Sequence, residues 1–467
     1  MTSPAVAASD LSVRPESEPG TRRAARRQRL ATAPLAAPAR STAARVVAFG
    51  LLLMLWAASI GGTIAQTLTM SRTQAAEGLT SVYTQAVVDA GHIALLLPAA
   101  AAVFVLIFRV VFVQNDVSPL VLVVLPWVWI VFNEFARGGA VTEQMLLPIG
   151  VAVTLWAIQP RVSDLRAYAL AAAGLAVVSM VLTSSAPALM YMPQTFDVNS
   201  EKSLTGLPLL AGFFGHPNGY GLFLVLALPL THLFSRWYLR WTTAAVLLVA
   251  ILWSASRTAL FGVAVWAVVL LVSMLLGRAG NRTVGRVLGA LLLVLVVVVV
   301  ALPLITTDPE AFTKRGAIWQ FNLSQLSGDQ WLVGLGHSWY VDHYDLLKAA
   351  LSSAASHGHN VFVTYVVTGG IVLVALLAVV LAAAARAAQR LPRRDQVAAS
   401  VFLCVLTAVS ITETAWRVEA PDTLFAAMVV PLFVIAVQAR DLSPLARRRG
   451  DRTGETPTFT MLTRRTA

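Results

Sequence analysis

Apolar residues in this chain fall in long unbroken runs, not in the period-2 alternation or 3.6-residue stripes of soluble elements. Val287–Ile305 and Val361–Ala385 contain no charged residue at all. Runs of this length cross the ~30 Å hydrocarbon core of a bilayer as helices. They recur at about 46–67, 91–113, 118–135, 142–159, 167–183, 212–234, 241–256, 258–276, 287–305, 360–385, 396–412 and 422–438. The pattern predicts an all-α polytopic membrane protein with about twelve transmembrane helices in one membrane domain, 46–438. Two polar interruptions exceed a turn. One is 184–211, with Asp197, Glu201 and Lys202; the other is 306–359, a large loop between helices 9 and 10.

Composition strengthens this picture. The chain of 467 residues is 57% hydrophobic and 12% charged, with a mean hydropathy of +0.72. A soluble fold cannot hide so much apolar surface. The single cysteine, Cys404, excludes an intramolecular disulfide and a cysteine-rich metal centre, and it reads as a small packing residue.

Charge then sets the sides. Arg109; Arg161 and Arg166; Arg236 and Arg240; Arg278, Arg282 and Arg286; and Arg386, Arg390, Arg393 and Arg394 all fall in alternate loops, while the other short loops hold at most one basic residue. By the positive-inside rule these are the cytoplasmic loops. The 1–45 and 439–467 segments are arginine-rich and lack apolar periodicity, so both read as disordered basic cytoplasmic tails. Orientation and contact with membrane lipids explain them more simply than nucleic acid does. The N-terminal stretch makes a poor cleavable signal peptide, its basic region being too long and the following apolar run long enough to span. The expected location is the cytoplasmic membrane, with both termini inside and the 306–359 loop extracytoplasmic. No internal repeat supports an inverted-repeat transporter.

Polar residues at helix entrances carry the candidate chemistry. In "GFFGHPNGYG" (212–221), His216 and Asn218 stand where the sixth span begins; the bland reading is an interfacial kink. In "WSASRTALFG" (253–262), Arg257 separates two apolar runs, and alone it would snorkel to headgroups. In "TKRGAIWQF" (313–321), Lys314 and Arg315 precede Trp319; an isolated basic pair would be a solvated face. "AASHGHNVFV" (354–363) brings His357, His359 and Asn360 to the lip of the tenth span. The large loop also holds Trp331, Trp339, Tyr340 and Tyr344, and four of the seven histidines. Ile318, Trp319 and Leu326 share a helical face, which predicts short helices on the outer membrane surface with aromatic rings at headgroup level.

Taken together, the set points to an anionic lipid. Arginine forks bind phosphate oxygens bidentately and keep their charge. A histidine exchanges protons near neutral pH. Aromatics such as Trp319 and Tyr340 suit sugar rings. A polyprenyl-diphosphate-linked glycan has all three matching parts. A zinc site from His357 and His359 with His343 or His337, completed by Asp342 or Asp345, lacks a zinc-motif spacing. No HExxH and no phosphate-binding glycine loop after a strand is present. Glu413 and Glu419, on a turn near the eleventh span, read as solvated charges with Arg417 as partner.

The motifs "GFFGHPNGYGLFLVLALPL", "SASRTALFG", "KRGAIW", "GLGHSWY" and "HGHNVFVTYVVTGGIVLVALL" occur in an order that resembles the bacterial O-antigen ligase and Wzy-type polysaccharide polymerase family, over about residues 205–380. The first five spans fit only in number and hydrophobicity. The resemblance implies a glycosyltransferase that moves a glycan from undecaprenyl diphosphate to an acceptor hydroxyl on a glycan, lipid or protein, without metal or other cofactor. It implies that Arg257, Arg315 and His359 are the diphosphate-binding and catalytic positions. Asn218 matches the asparagine opening the sixth span, and His357 is an alternative to His359. His216, Asn360, Trp319 and Tyr340 complete the expected substrate contacts. The competing class is a transporter or flippase of a lipid-linked glycan, which would place charges along a path near the bilayer midplane. A cell-shape peptidoglycan polymerase fits the ordered motifs less well.

Overall fold

The computed structural model describes residues 42–69, 100, 117–192, 202–351, 357–414, 416 and 423–438. The chain divides into two units, Met1–Ala44 and Arg45–Ala467, and the packing described here lies within the second. The expected span at 91–113, apart from Ala100, and nearly all of both basic tails lie outside the described residues.

The described residues are helical, with one isolated antiparallel bridge between Tyr191 and Leu210. In chain order the helices are α1 (Thr42–Thr69), α2 (Ser118–Ala136), α3 (Glu143–Ile158), α4 (Arg166–Ser185), α5 (Pro217–Ala227), α6 (Trp237–Ser254), α7 (Arg257–Leu275), α8 (Asn281–Ile305), α9 (Ala311–Ser324), α10 (Val361–Ala388), α11 (Arg393–Val409) and α12 (Phe425–Val437). Four-residue turns of helix and an eight-residue helix, Tyr344–Leu351, fill the connections.

Among the described residues, seven helices are long and apolar enough to cross a membrane: α1, α2, α4 with its preceding turn, α6, α7, α8 and α10. Their apolar windows are only 22% to 56% buried by protein. α8, for example, leaves Leu293, Val294 and Val297 uncovered. Such faces suit hydrocarbon and are compatible with a multi-pass membrane protein. α11 and α12 are the opposite case. Every residue from Gln396 to Val409 and from Phe425 to Val437 is buried. α7 and α8 pack on α11, and α10 packs on α12.

The apolar run at 212–234 does not form one helix. α5 ends at Ala227 and a buried 3-10 turn, Leu228–Leu233, continues it. Pro229 has no N–H for the Val225 carbonyl, so the α-helical ladder stops there.

α10 breaks at Gly370, where φ is 70° and ψ is −175°. Only glycine adopts that conformation readily. A Cβ there would also lie 2.0 Å from the Leu332 carbonyl oxygen. The carbonyls freed by the break find partners elsewhere, as buried backbone groups must. Leu335 N donates to Val367 O at 2.6 Å, and Trp129 Nε1 to Gly369 O at 2.8 Å. Asn133 Nδ2 donates to Val333 O at 2.9 Å, and the Arg137 guanidinium to Gly334 O. The end of α2 thus clasps the 333–335 stretch into the broken helix.

The 306–351 segment has its own small core. Trp319, Leu326, Trp339, Tyr340 and Leu347 pack on Val299 of α8, on Phe362, Val363, Val366 and Val367 of α10, and on Ile411. Short helices appear here as the sequence pattern predicts. Trp319, Trp339 and Tyr340, however, are buried inside this core, where their large rings gain most from leaving water.

Candidate functional site

Helix parity brings the polar motifs together. α5, α7 and α10 begin, and α6, α8 and α11 end, on the same side of the bundle. Thr258 and Thr412 hydroxyls meet at 3.1 Å, and Val361 N donates to Ser410 O at 3.1 Å. Asn360 Nδ2 donates to Val299 O at 3.1 Å and to Ile411 O at 3.0 Å. At the opposite end Arg393 Nη2 donates to the Ser273 carbonyl of α7 and to that of Leu276, one residue past the helix end.

Local capping aims each motif. His216 is the N-cap of α5, its Nδ1 accepting from Asn218 N at 3.0 Å. Ala255 takes a left-handed turn, φ 49°, between α6 and α7; Ser256 then caps α7 and Arg257 opens it. Phe312, Thr313 and Lys314 are all left-handed, so regular helix in α9 starts only at Arg315. Gly358 sits between the two histidines because Thr364 approaches closely: a Cβ would lie 3.0 Å from its hydroxyl. Asn360 caps α10 through Oδ1, which accepts from Val363 N at 3.0 Å.

Lys202, Asn218, Arg257, Thr313, Arg315 and His359 line one pocket of about 660 Å³, counting space open to solvent. Among the described residues six non-glycines have positive φ; three of them (Ala255, Thr313 and His359) line this pocket, and two more (Phe312 and Lys314) adjoin Thr313 in the chain. Each costs about 1–2 kcal/mol, and such strain persists where surrounding structure holds a functional geometry.

Glu413 organises the cluster. It is 6% exposed, not solvated; Arg417 and Glu419 lie outside the described residues. Its Oε1 accepts from Arg315 Nη2 at 2.5 Å. Its Oε2 lies 3.2 Å from His359 Nδ1 and 3.9 Å from His357 Nε2. The two imidazole centroids are 4.2 Å apart. Burial by itself would push the Glu413 carboxyl up. The hydrogen bond with His359 and the charges of His359, Arg315 and His357 outweigh it and bring the group down to about 2. Arg257 Nη1 reaches Thr313 Oγ1 at 3.4 Å, joining the α7 entrance to α9. Burial, then the like charges of Arg257 and Arg315, lower the Lys202 ammonium.

The sequence-derived candidates therefore separate. Arg257, Arg315, His359 and Asn218 line the pocket, and His357 lies beside it with its ring tilted against that of His359. The Asn360 side chain is engaged by α8, α10 and the 410–413 turn and frames the site. Trp319 is fully buried and Tyr340 nearly so, Tyr340 edge-on to Trp339 at 4.9 Å. The His343 ring stacks on Trp339 at 5.2 Å and the His337 backbone N donates to Glu134 Oε2 at 2.9 Å; among the described residues the clustered donor atoms are those of His357, His359 and Glu413. Sequence reasoning missed Lys202 and Glu413. The one signal was the pair of threonines around Glu413: Thr412 bonds Thr258, and Thr414 bonds Thr364 at 2.7 Å.

Donor atoms of His357, His359 and Glu413 lie within 4.8 Å of one another, a spacing that would admit a cation. Arg315 already supplies positive charge to that carboxylate, and Arg257 and Lys202 line the same pocket. The local field favours an anion. A separate apolar slot of about 490 Å³ runs between α8, α10 and α11, walled by Val299, Phe362, Leu377 and Trp416.

Comparison with protein-family models, with curated proteins and with solved structures found no match for this chain.

Proposed function

We propose that the protein is a membrane glycosyltransferase of the O-antigen ligase or surface polysaccharide polymerase type. It moves a glycan from an undecaprenyl-diphosphate donor to an acceptor hydroxyl at the outer face of the cytoplasmic membrane. The observation that carries this reading is the convergence of Lys202, Arg257 and Arg315 with His359 on one pocket at the ends of apolar helices. A pyrophosphate head matches the cations, and a polyprenyl tail matches the surroundings.

The twelve-span topology belongs to this proposal. α3, α11 and α12 are about 24, 26 and 20 Å long, and α5 with its 3-10 continuation about 28 Å. With the seven longer helices they make eleven; 91–113 would be the twelfth. Twelve spans would put both termini on one side, and the arginine-rich alternate loops would make that side the cytoplasm and leave the pocket outside.

In the proposed reaction the donor diphosphate lies between Arg257 and Arg315, with Lys202 beside them. The acceptor hydroxyl oxygen attacks the anomeric carbon. The bond from that carbon to the diphosphate oxygen breaks, and its electron pair leaves on the lipid diphosphate, whose charge the cations stabilise. The hydroxyl proton passes to His359. One displacement inverts the anomeric centre; a retaining reaction would need a nucleophilic carboxylate, and Glu413 is engaged by the His359 imidazole instead. No step calls for a metal.

The test is glycan transfer by the purified protein in lipid, with the oligosaccharide diphosphate lipid of its source organism and chelator present. Wild-type transfer that Arg315→Ala and His359→Ala both abolish supports the reading. Equal transfer by all three overturns the residue roles. Movement of donor between leaflets without transfer establishes the flippase class instead.

A further inference from the structure

The pocket's cations have a counter-ion that the reaction above does not use. Glu413 gives one oxygen to Arg315 and the other to His359, joining the group that would bind the diphosphate to the group that would take the proton. The carboxylate is also held in place. Thr412 is tied to α7 through Thr258, Thr414 to α10 through Thr364, and the Ile411 carbonyl to Asn360.

We propose that Glu413 is the positioning residue of the transfer reaction, a carboxylate that a bound diphosphate displaces from Arg315 and leaves to His359. The inference rests on the glycosyltransferase reading. Two anions then compete for one guanidinium, and the diphosphate brings more charge and a bidentate geometry. The displaced carboxylate cannot leave, because its turn is fixed on both sides. It stays on His359 Nδ1. There it holds the imidazole with Nδ1–H toward the carboxylate, so that Nε2 carries the lone pair that accepts the acceptor's proton. It also compensates the imidazolium that results. Donor binding would in this way prepare the base, and His359 would be poised only when the diphosphate is in place.

The experiment separates binding from turnover. Undecaprenyl diphosphate is titrated into wild type and Glu413→Gln in nanodiscs, and single-turnover transfer is measured on the same samples, with melting curves as a check on folding. Glutamine keeps the shape but neither holds Arg315 as strongly nor compensates an imidazolium. The expected result is affinity for the lipid diphosphate unchanged or several-fold tighter, with transfer slower by about a hundredfold. Glu413→Asp, which keeps the charge but shortens the reach, should retain more transfer than Glu413→Gln. Parallel loss of binding and transfer would show a merely structural role, and undiminished transfer would remove any role; either overturns the proposal. If Glu413→Gln does not fold, Glu413→Asp decides by the same split. Failure of wild type itself to bind undecaprenyl diphosphate would overturn the functional reading, and the Glu413 role with it. Binding and transfer by wild type with no split in the variants would overturn the Glu413 role alone.

Discussion

Arg315 and Glu413 lie 98 positions apart in the chain, yet the half-buried guanidinium and the buried carboxylate meet at 2.5 Å. Removing one member of such a pair leaves the other buried without its counter-charge. Arg315→Ala is therefore expected to destabilise the protein by about 3 kcal/mol and to slow transfer by about a hundredfold or more. Arg315→Lys keeps the charge and loses the planar fork, so it should recover most stability and little transfer. Thermal melting and single-turnover transfer on the same preparations read both effects.

Lys202 has the opposite balance. Burial and the like charges of Arg257 and Arg315 work against its protonated form. Lys202→Gln should accordingly raise the melting temperature of the donor-free protein and weaken donor binding by about tenfold. The salt dependence of donor binding should fall as well. A variant that lowers both stability and affinity would show that Lys202 packs rather than repels.

Glu413 predicts an acid limit. Its folded-state value is about 2, below the ordinary carboxylate value of 4.5. A depressed carboxylate contributes stability that is fully present above the unfolded value and is lost as pH falls through the folded one. Melting temperature should hold above about pH 4.5 and decline toward pH 2. In Glu413→Gln that part of the decline should be missing. Melting curves across this range test the sign.

Gly370 predicts a fold-level effect far from the charges. Alanine there meets both an unfavourable φ of 70° and the Leu332 carbonyl oxygen at 2.0 Å. Gly370→Ala should cost about 3 kcal/mol or more and free the 333–335 stretch from α10. Limited proteolysis should then cut the 306–359 segment faster than in wild type.

How much of this was legible beforehand depends on what is local. Long apolar runs specify helices directly, because a backbone in hydrocarbon must satisfy its own hydrogen bonds. Seven such helices appear where the runs lie. Chain parity is also a sequence property. It is why "GHPN", "SASRT", "KRGAIW" and "HGHN" arrive at one end, and why Arg257, Arg315 and His359 share a pocket. Helix caps were local too: Ser256 and Asn360 bond backbone groups three residues on.

The remainder depended on neighbours distant in sequence. Whether Glu413 is solvated or buried is set by Arg315 and by His359, 54 positions away, and no window around residue 413 contains either. Which histidines cluster was equally undetermined: His337 and His343 follow Glu134 and Trp339, while His357 and His359 follow Glu413. Trp319 and Tyr340 carry the chemistry of sugar stacking, but α8 and α10 cover them, and burial decides what an aromatic ring can touch. By itself the sequence determined the seven long apolar helices, their order and the end at which the polar motifs collect, since those follow from chain length and local solvation. Only the tertiary structure decided which charges are desolvated and paired, because electrostatic environment is a property of space and not of the chain.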